Sequence, residues 1–109
     1  MDLNEFNSKM NNVFAKAHSL LEKKNADYSG FANPFKNLSM CEAAGLATTE
    51  EGILIRMLDK IGRVSTLTVT KRNPKIDESI EDTLIDLMNY AALLIVYRQG
   101  KKDSYDNDN

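Results

Sequence analysis

Histidine and cysteine are nearly missing from these 109 residues: each occurs once, as His18 and Cys41. One cysteine excludes an intrachain disulfide and a cysteine-rich zinc site. Cys41 has no basic helper near it in sequence and reads as a small buried apolar residue. His18 has no HxxxH or ExxH partner and sits beside an apolar stripe, so it reads as a packing or surface residue, and catalysis through a histidine base is disfavoured. No apolar run approaches the ~20 residues of a membrane span. The opening Met1-Asp2-Leu3-Asn4-Glu5 lacks the basic and apolar regions of a signal peptide, which points to a cytoplasmic protein. Asn37-Leu38-Ser39 matches a glycosylation sequon, which carries no meaning without secretion. There is no excess of positive charge either. The net charge is -2 and the pI about 5.4, against the basic stripe that duplex nucleic acid requires. No GxxxxGK[ST] loop and no GxGxxG turn is present, which disfavours ATP-driven and Rossmann chemistry. No alternating strand pattern and no internal repeat stands out.

What is present is helical periodicity in a chain of one-domain length. Leu3, Phe6, Met10, Val13, Phe14, Ala17, Leu20 and Leu21 form a 3.6-period stripe and predict a helix over Leu3 to Lys24. Asn25 to Asn37, with Asn33-Pro34 and Gly30, predicts a loop. That loop carries Tyr28, Phe31 and Phe35, too many aromatics for a solvated connector. Leu38 to Ala44 predicts a short helix, with Asn37 as its cap and Gly45 as its stop. Thr48 to Glu51 reads as a capping box opening a helix to about Thr70, with Leu54, Met57, Leu58, Ile61, Val64 and Thr68 as core face. Arg72 to Lys75 predicts a turn. A last helix is expected from an Asp77 cap to about Gln99, stopped by Gly100, with 101–109 a disordered polar tail. The expectation is an all-α domain over residues 1–100, a small bundle of three long helices and one short one. Ala91 to Val96 is apolar all round, more than three small neighbours can cover, so a homo-oligomer is expected through this helix.

Two polar stripes could carry chemistry. On the third helix Arg56, Asp59, Arg63, Thr66 and Thr70 share a sector, with Lys60 beside them. Guanidinium groups bind phosphate bidentately and lysine adds a point charge. The bland alternative is a solvated face of Arg56–Asp59–Lys60 pairs. On the last helix Asp77, Glu78, Glu81 and Asp82 crowd the first turns, and Glu78, Asp82, Asp86 and Asn89 fall together on the wheel. Helix N-termini favour acids in any case; Asp86 lies beyond that effect. Carboxylates at such spacing can hold a hard cation, and a cation can hold phosphate. Tyr90 and Tyr97 fit an interface.

Four segments resemble a known family: Lys24-Asn25-Ala26-Asp27-Tyr28-Ser29-Gly30, Asn33-Pro34-Phe35-Lys36-Asn37, Met57-Leu58-Asp59-Lys60-Ile61-Gly62-Arg63 and the run Asp77 to Ala91. In order and spacing, over roughly Lys24 to Tyr97, they look like the phage family called nucleotide modification associated domain type one. A looser resemblance is to the all-α nucleotide pyrophosphohydrolases of the MazG and dimeric dUTPase type, which hold magnesium with ExxE and ExxD pairs. Where ExxE would fall stands Arg56-Met57-Leu58-Asp59, and where ExxD would fall stands Thr83-Leu84-Ile85-Asp86. A cation has replaced one metal ligand, an exchange of metal-mediated for direct phosphate binding.

Three functions follow as expectations. The first is a phage protein in the bacterial cytoplasm that binds a nucleotide-type phosphorylated molecule and sequesters a host defence signal. Arg56, Lys60 and Arg63 would grip phosphates, with Asp59 beside them. Tyr28, Phe31 or Phe35 would stack on the base, and Asp27 and Asn37 would hydrogen-bond to base or sugar. The alternative is a magnesium-dependent nucleotide pyrophosphohydrolase with Asp59, Glu78, Asp82 and Asp86 as ligands. The third is a structural module whose polar stripes are all solvated.

Overall fold

The computed structural model describes the backbone of residues 1–28, 33–70 and 73–108, and the side chains of these except 26–28 and 104–108. It is all-α: α1 Leu3–Tyr28, α2 Met40–Ala43, α3 Thr49–Thr68 and α4 Pro74–Asp108. Asp2 starts α1, its carboxylate accepting from the Glu5 N–H at 2.8 Å in the manner of an N-cap. The helix runs past Lys24 into the segment that reads as loop, because nothing from Asn25 to Tyr28 breaks it.

The stretch 34–39 is a series of turns, opened by Asn33, whose side chain accepts from the Phe35 N–H at 3.0 Å. The short helix is therefore trimmed to Met40–Ala43, with Ser39 rather than Asn37 at its cap. Its end is a Schellman motif. Gly45 (φ 75°) donates to Glu42 O at 3.0 Å, and the Leu46 N–H donates to Cys41 O at 2.9 Å. The positive φ is why glycine stands there.

α3 opens on the capping box expected of it. The Glu51 N–H donates to Thr48 Oγ1, and the Thr48 N–H donates to Glu51 Oε1, each at 3.0 Å. Those bonds hold the Glu51 carboxyl below its ordinary pKa. α2 lies very close to α3. A Cβ on Gly52 would come within 2.6 Å of Cys41 Sγ, whose single S–H lies within reach of both Leu38 O and Thr48 O and can donate to either.

α4 begins earlier than the Asp77 cap predicts. Asn73 accepts from the Ile76 N–H at 3.1 Å through its side chain, and Pro74 takes the first helical position, where its missing N–H costs nothing. It also ends later. It passes through Gly100 and the expected disordered tail to Asp108 as one helix of 35 residues, about 52 Å long at 1.5 Å per residue, and so sets the 50 Å long axis of the molecule.

α3 and α4 pack antiparallel along most of α3, held at one end by Arg98 Nη1 on Glu50 Oε1 at 2.6 Å. Among the described residues α1 packs on α4 alone, and α2 on α3. The core is small: Ile53, Ile85, Ala17 and Leu38, with Thr49 and Thr83. Both buried hydroxyls are satisfied, Thr49 donating to Glu42 Oε2 at 2.7 Å and Thr83 to Ser79 O at 2.6 Å.

The core face of α3 differs from the one its apolar pattern predicts. Thr49, Ile53, Arg56, Met57, Lys60, Val64 and Leu67 face inward, while Leu54, Leu58, Ile61 and Thr68 are exposed. α3 has turned its mixed line of threonine, isoleucine and cations towards α4 and left its most apolar side bare. On α4, Ala91, Leu93 and Leu94 are partly covered, whereas Ala92, Ile95 and Val96 are exposed.

Candidate functional site

Where α1, the turns after Asn33, α3 and α4 meet, they enclose a cavity of about 360 Å³. Such a volume falls at the lower end of the ~300–1,000 Å³ common for small-molecule sites. α1 contributes Leu21, Lys24 and Asn25. The turn segment contributes Pro34, Asn37 and Leu38. α3 contributes Arg56 and Lys60, one turn apart. α4 contributes Asp86, Asn89, Tyr90 and Leu93.

The electrostatics of this wall are uneven: three cations face one carboxylate. Asp86 is shared between two of them, with Lys24 Nζ at 2.8 Å from Oδ1 and Lys60 Nζ at 3.4 Å from Oδ2. Arg56, partly buried, has no ion-pair partner among the described residues. The wall thus carries an excess of two positive charges in a half-enclosed hollow, where a low local dielectric strengthens attraction for an anion. Asn89 donates from Nδ2 to Ala17 O at 2.9 Å and ties α1 to α4 at the cavity. Tyr90 and Asn37 add polar groups, and Leu21, Leu38, Pro34 and Leu93 add apolar surface. A compact anionic group joined to a flat, partly apolar one matches such a lining.

Of the residues singled out from sequence, Asn37, Arg56, Lys60 and Asp86 come together here. Asp59 and Arg63 are exposed and lie outside the lining. Phe35 is also outside it. Its ring meets that of Tyr97 edge-on, centroids 5.5 Å apart at 69°. Phe31, and the side chains of Asp27 and Tyr28, lie outside the described residues. Asn89, placed from sequence on the polar stripe of the last helix, also lines the cavity, whereas the polar lining residues Lys24, Asn25 and Tyr90 escaped the sequence reading of the site. From sequence, Lys24 is explained as well by a helix expected to end there, Asn25 by the loop expected to begin there, and Tyr90 by an interface. The signal that could have found Lys24 is its i, i+3 spacing from Leu21 on the edge of the apolar stripe.

The carboxylates do not fit a magnesium centre within one chain. Glu78 and Asp82 are exposed near the start of α4, Asp59 is exposed on α3, and Asp86 is held by two lysines. Lys16 approaches Glu81 at 3.9 Å and Asp82 at 4.0 Å. Among the described residues no three acidic, histidine or cysteine side chains come together as a metal site. His18 is exposed and pairs with Glu22 at 3.2 Å, away from the cavity.

The fold and the cavity define a small all-α protein with a basic pocket walled by its helices. The family model described as nucleotide modification associated domain 1 matches residues 44–97, which span α3 and most of α4, and over those residues the chain belongs to that family. No curated protein and no solved structure matches the chain. No helix of the described residues is long and apolar enough to cross a membrane.

Proposed function

We propose that this is a phage protein that binds a nucleotide-type phosphorylated small molecule and sequesters it, working as a homo-oligomer in the host bacterial cytoplasm. The observation that carries the reading is the convergence of Lys24, Arg56 and Lys60 on one cavity against the single carboxylate of Asp86. The family description supports a nucleotide as the ligand class. Arg56, free of an ion pair among the described residues, offers its planar fork to a phosphate, and Lys60 and Lys24 turn from Asp86 to share the incoming charge. The apolar wall and the Tyr90 ring take the base, and Asn37 offers an amide to base or sugar. Asp27, Tyr28 and Phe31, which follow the lining residues Lys24 and Asn25 in sequence, remain candidates for stacking and hydrogen bonding.

Sequestration is favoured over hydrolysis because the same geometry concentrates cations and scatters carboxylates. The test is calorimetry of the folded protein against cyclic nucleotides and ADP-ribose-type molecules. The reading expects heat with at least one member, and at least tenfold weaker binding for Arg56→Ala and for Lys60→Ala. No heat with any member refutes it. Release of pyrophosphate from nucleoside triphosphates with magnesium, abolished in Asp86→Ala, replaces sequestration with catalysis.

A further inference from the structure

α1 carries one continuous apolar stripe, and only half of it is covered. Around Val13, Ala17, Leu20 and Leu21 it lies against α4, with Ala17 buried. Over the first four turns the same stripe is exposed: Leu3 by 70%, Phe6 49%, Met10 37% and Phe14 54%. α3 repeats the situation. Leu54, Leu58 and Ile61 lie i, i+4 and i+7 on one face, with Ile55 beside them, and Leu58 is 65% exposed. That face stands about 120° or more round the axis from the side packed on α4.

The dimensions of the molecule measure how much cover is missing. Its accessible surface is 8254 Å², whereas a closed globule of this mass exposes roughly 6,100 Å². Its radius of gyration is 16.6 Å, against about 13 Å for a compact domain of this length. Part of the excess is the projecting end of α4, where residues 98–103 are all exposed. The excess as a whole is roughly twice the ~1,000 Å² that one partner buries in an obligate homodimer, and so has room for an interface of that size.

We infer that a second copy of this chain seats on these two stripes, Leu3–Phe6–Met10–Phe14 of α1 and Leu54–Ile55–Leu58–Ile61 of α3, in a two-fold interface. A second copy is the occupant that the surface excess favours, because each chain brings the same two bare stripes and a two-fold operation buries both on both chains at once. Paired helix stripes of Leu, Ile, Phe and Met at this spacing interdigitate as ridges into grooves. The surface lies on the side of α3 away from Arg56 and Lys60, so assembly leaves the cavity wall facing α4 as it is.

The inference deepens the homo-oligomer part of the proposed function and stands apart from its ligand part: mass reports the first, calorimetry the second. The experiment is light scattering on the full chain during size exclusion at micromolar concentration. The expected mass is about twice the 12.3 kDa of the chain, or an even multiple of it; a monomer overturns the inference. Leu58→Glu and Phe6→Glu, checked as helical by circular dichroism, each give a monomer. Should either lose its helices, Leu58→Ala and Phe6→Ala weaken self-association at least tenfold in sedimentation equilibrium. Variants that associate as tightly as wild type place the interface elsewhere and overturn the assignment. Arg56→Ala keeps the wild-type mass.

Discussion

Asp86 is the residue on which the ligand reading turns, because it neutralises the groups that would otherwise draw an anion. Lys24 and Lys60 both contact it, at 2.8 and 3.4 Å. Asp86→Asn keeps the shape and frees both lysines. The expected outcome is about tenfold tighter binding of any phosphorylated ligand, since a like charge a few ångströms from the anion is removed in a partly screened site. The calorimetric titration of the wild type, repeated on this variant, checks it; a loss of binding instead makes Asp86 a direct ligand contact. At the other end of α3, Glu51 makes a pH prediction. Its carboxyl is held below its ordinary pKa by its bonds to Thr48. The folded state therefore binds this proton less readily than the unfolded chain. Its stabilisation is complete above the ordinary carboxylate pKa and is lost as pH falls through the lowered one. Glutamine keeps the reach back to the Thr48 N–H without titrating. Urea unfolding across the acid range is expected to show the advantage of wild type over Glu51→Gln shrinking in that window. A difference that grows as the pH falls contradicts the assignment. Arg56 and Lys60 were legible as candidates because cations one turn apart announce themselves in sequence. Lys24 was not, because a lysine near a helix end has a sufficient local explanation, and only the fold brings it to Asp86.

The elements are held as much by close approach as by apolar area. α2 presses on α3 where Gly52 faces Cys41 Sγ, and a Cβ there would stand 2.6 Å from the sulfur. The sulfur has little room to yield, since it lies between two carbonyls, Leu38 O at 3.7 Å and Thr48 O at 3.6 Å. Gly52→Ala is expected to destabilise by about 1–3 kcal/mol through overpacking, against the gain alanine normally brings to a helix interior. Cys41→Ala removes the obstructing atom, so the double variant is expected to recover most of the loss, a non-additivity that denaturant unfolding of all four proteins would show. Simple additivity would mean that α2 does not rest on Gly52. The capping box and the glycine stop of α2 were readable because their chemistry is local. The facing of α3 was not. Its period is clear, but the pattern offers two apolar arcs, Ile53–Met57–Val64–Leu67 and Leu54–Leu58–Ile61, and only packing against α4 decides which is internal. The start of α4 was misplaced for a related reason: Asp77 is a sound cap in isolation, but Asn73 followed by Pro74 is a better one four residues earlier.

At the scale of the molecule, four buried apolar side chains among the described residues make a small core. Among those residues α1 rests on α4 alone, and a hollow separates it from the turn segment and from the cationic side of α3. The same looseness that opens the cavity leaves the apolar arcs of α1 and α3 bare, so the proposed binding and the inferred assembly would both follow from one open arrangement. That the chain is all-α was plain from periodicity, whereas its extended shape was not, because a stripe in sequence does not say whether its own chain or another covers it. If a second copy does, the folded state is coupled to concentration. Unfolding a dimer yields two chains, and mass action favours the folded species as protein is added. For a unit of two such chains the unfolding entropy implies a rise of Tm of roughly 3 °C for each tenfold increase in concentration. Calorimetric scans over two decades of concentration, under conditions where unfolding reverses, read this directly. A Tm that stays flat across that range belongs to a chain that unfolds alone, with its apolar arcs already exposed in the native state.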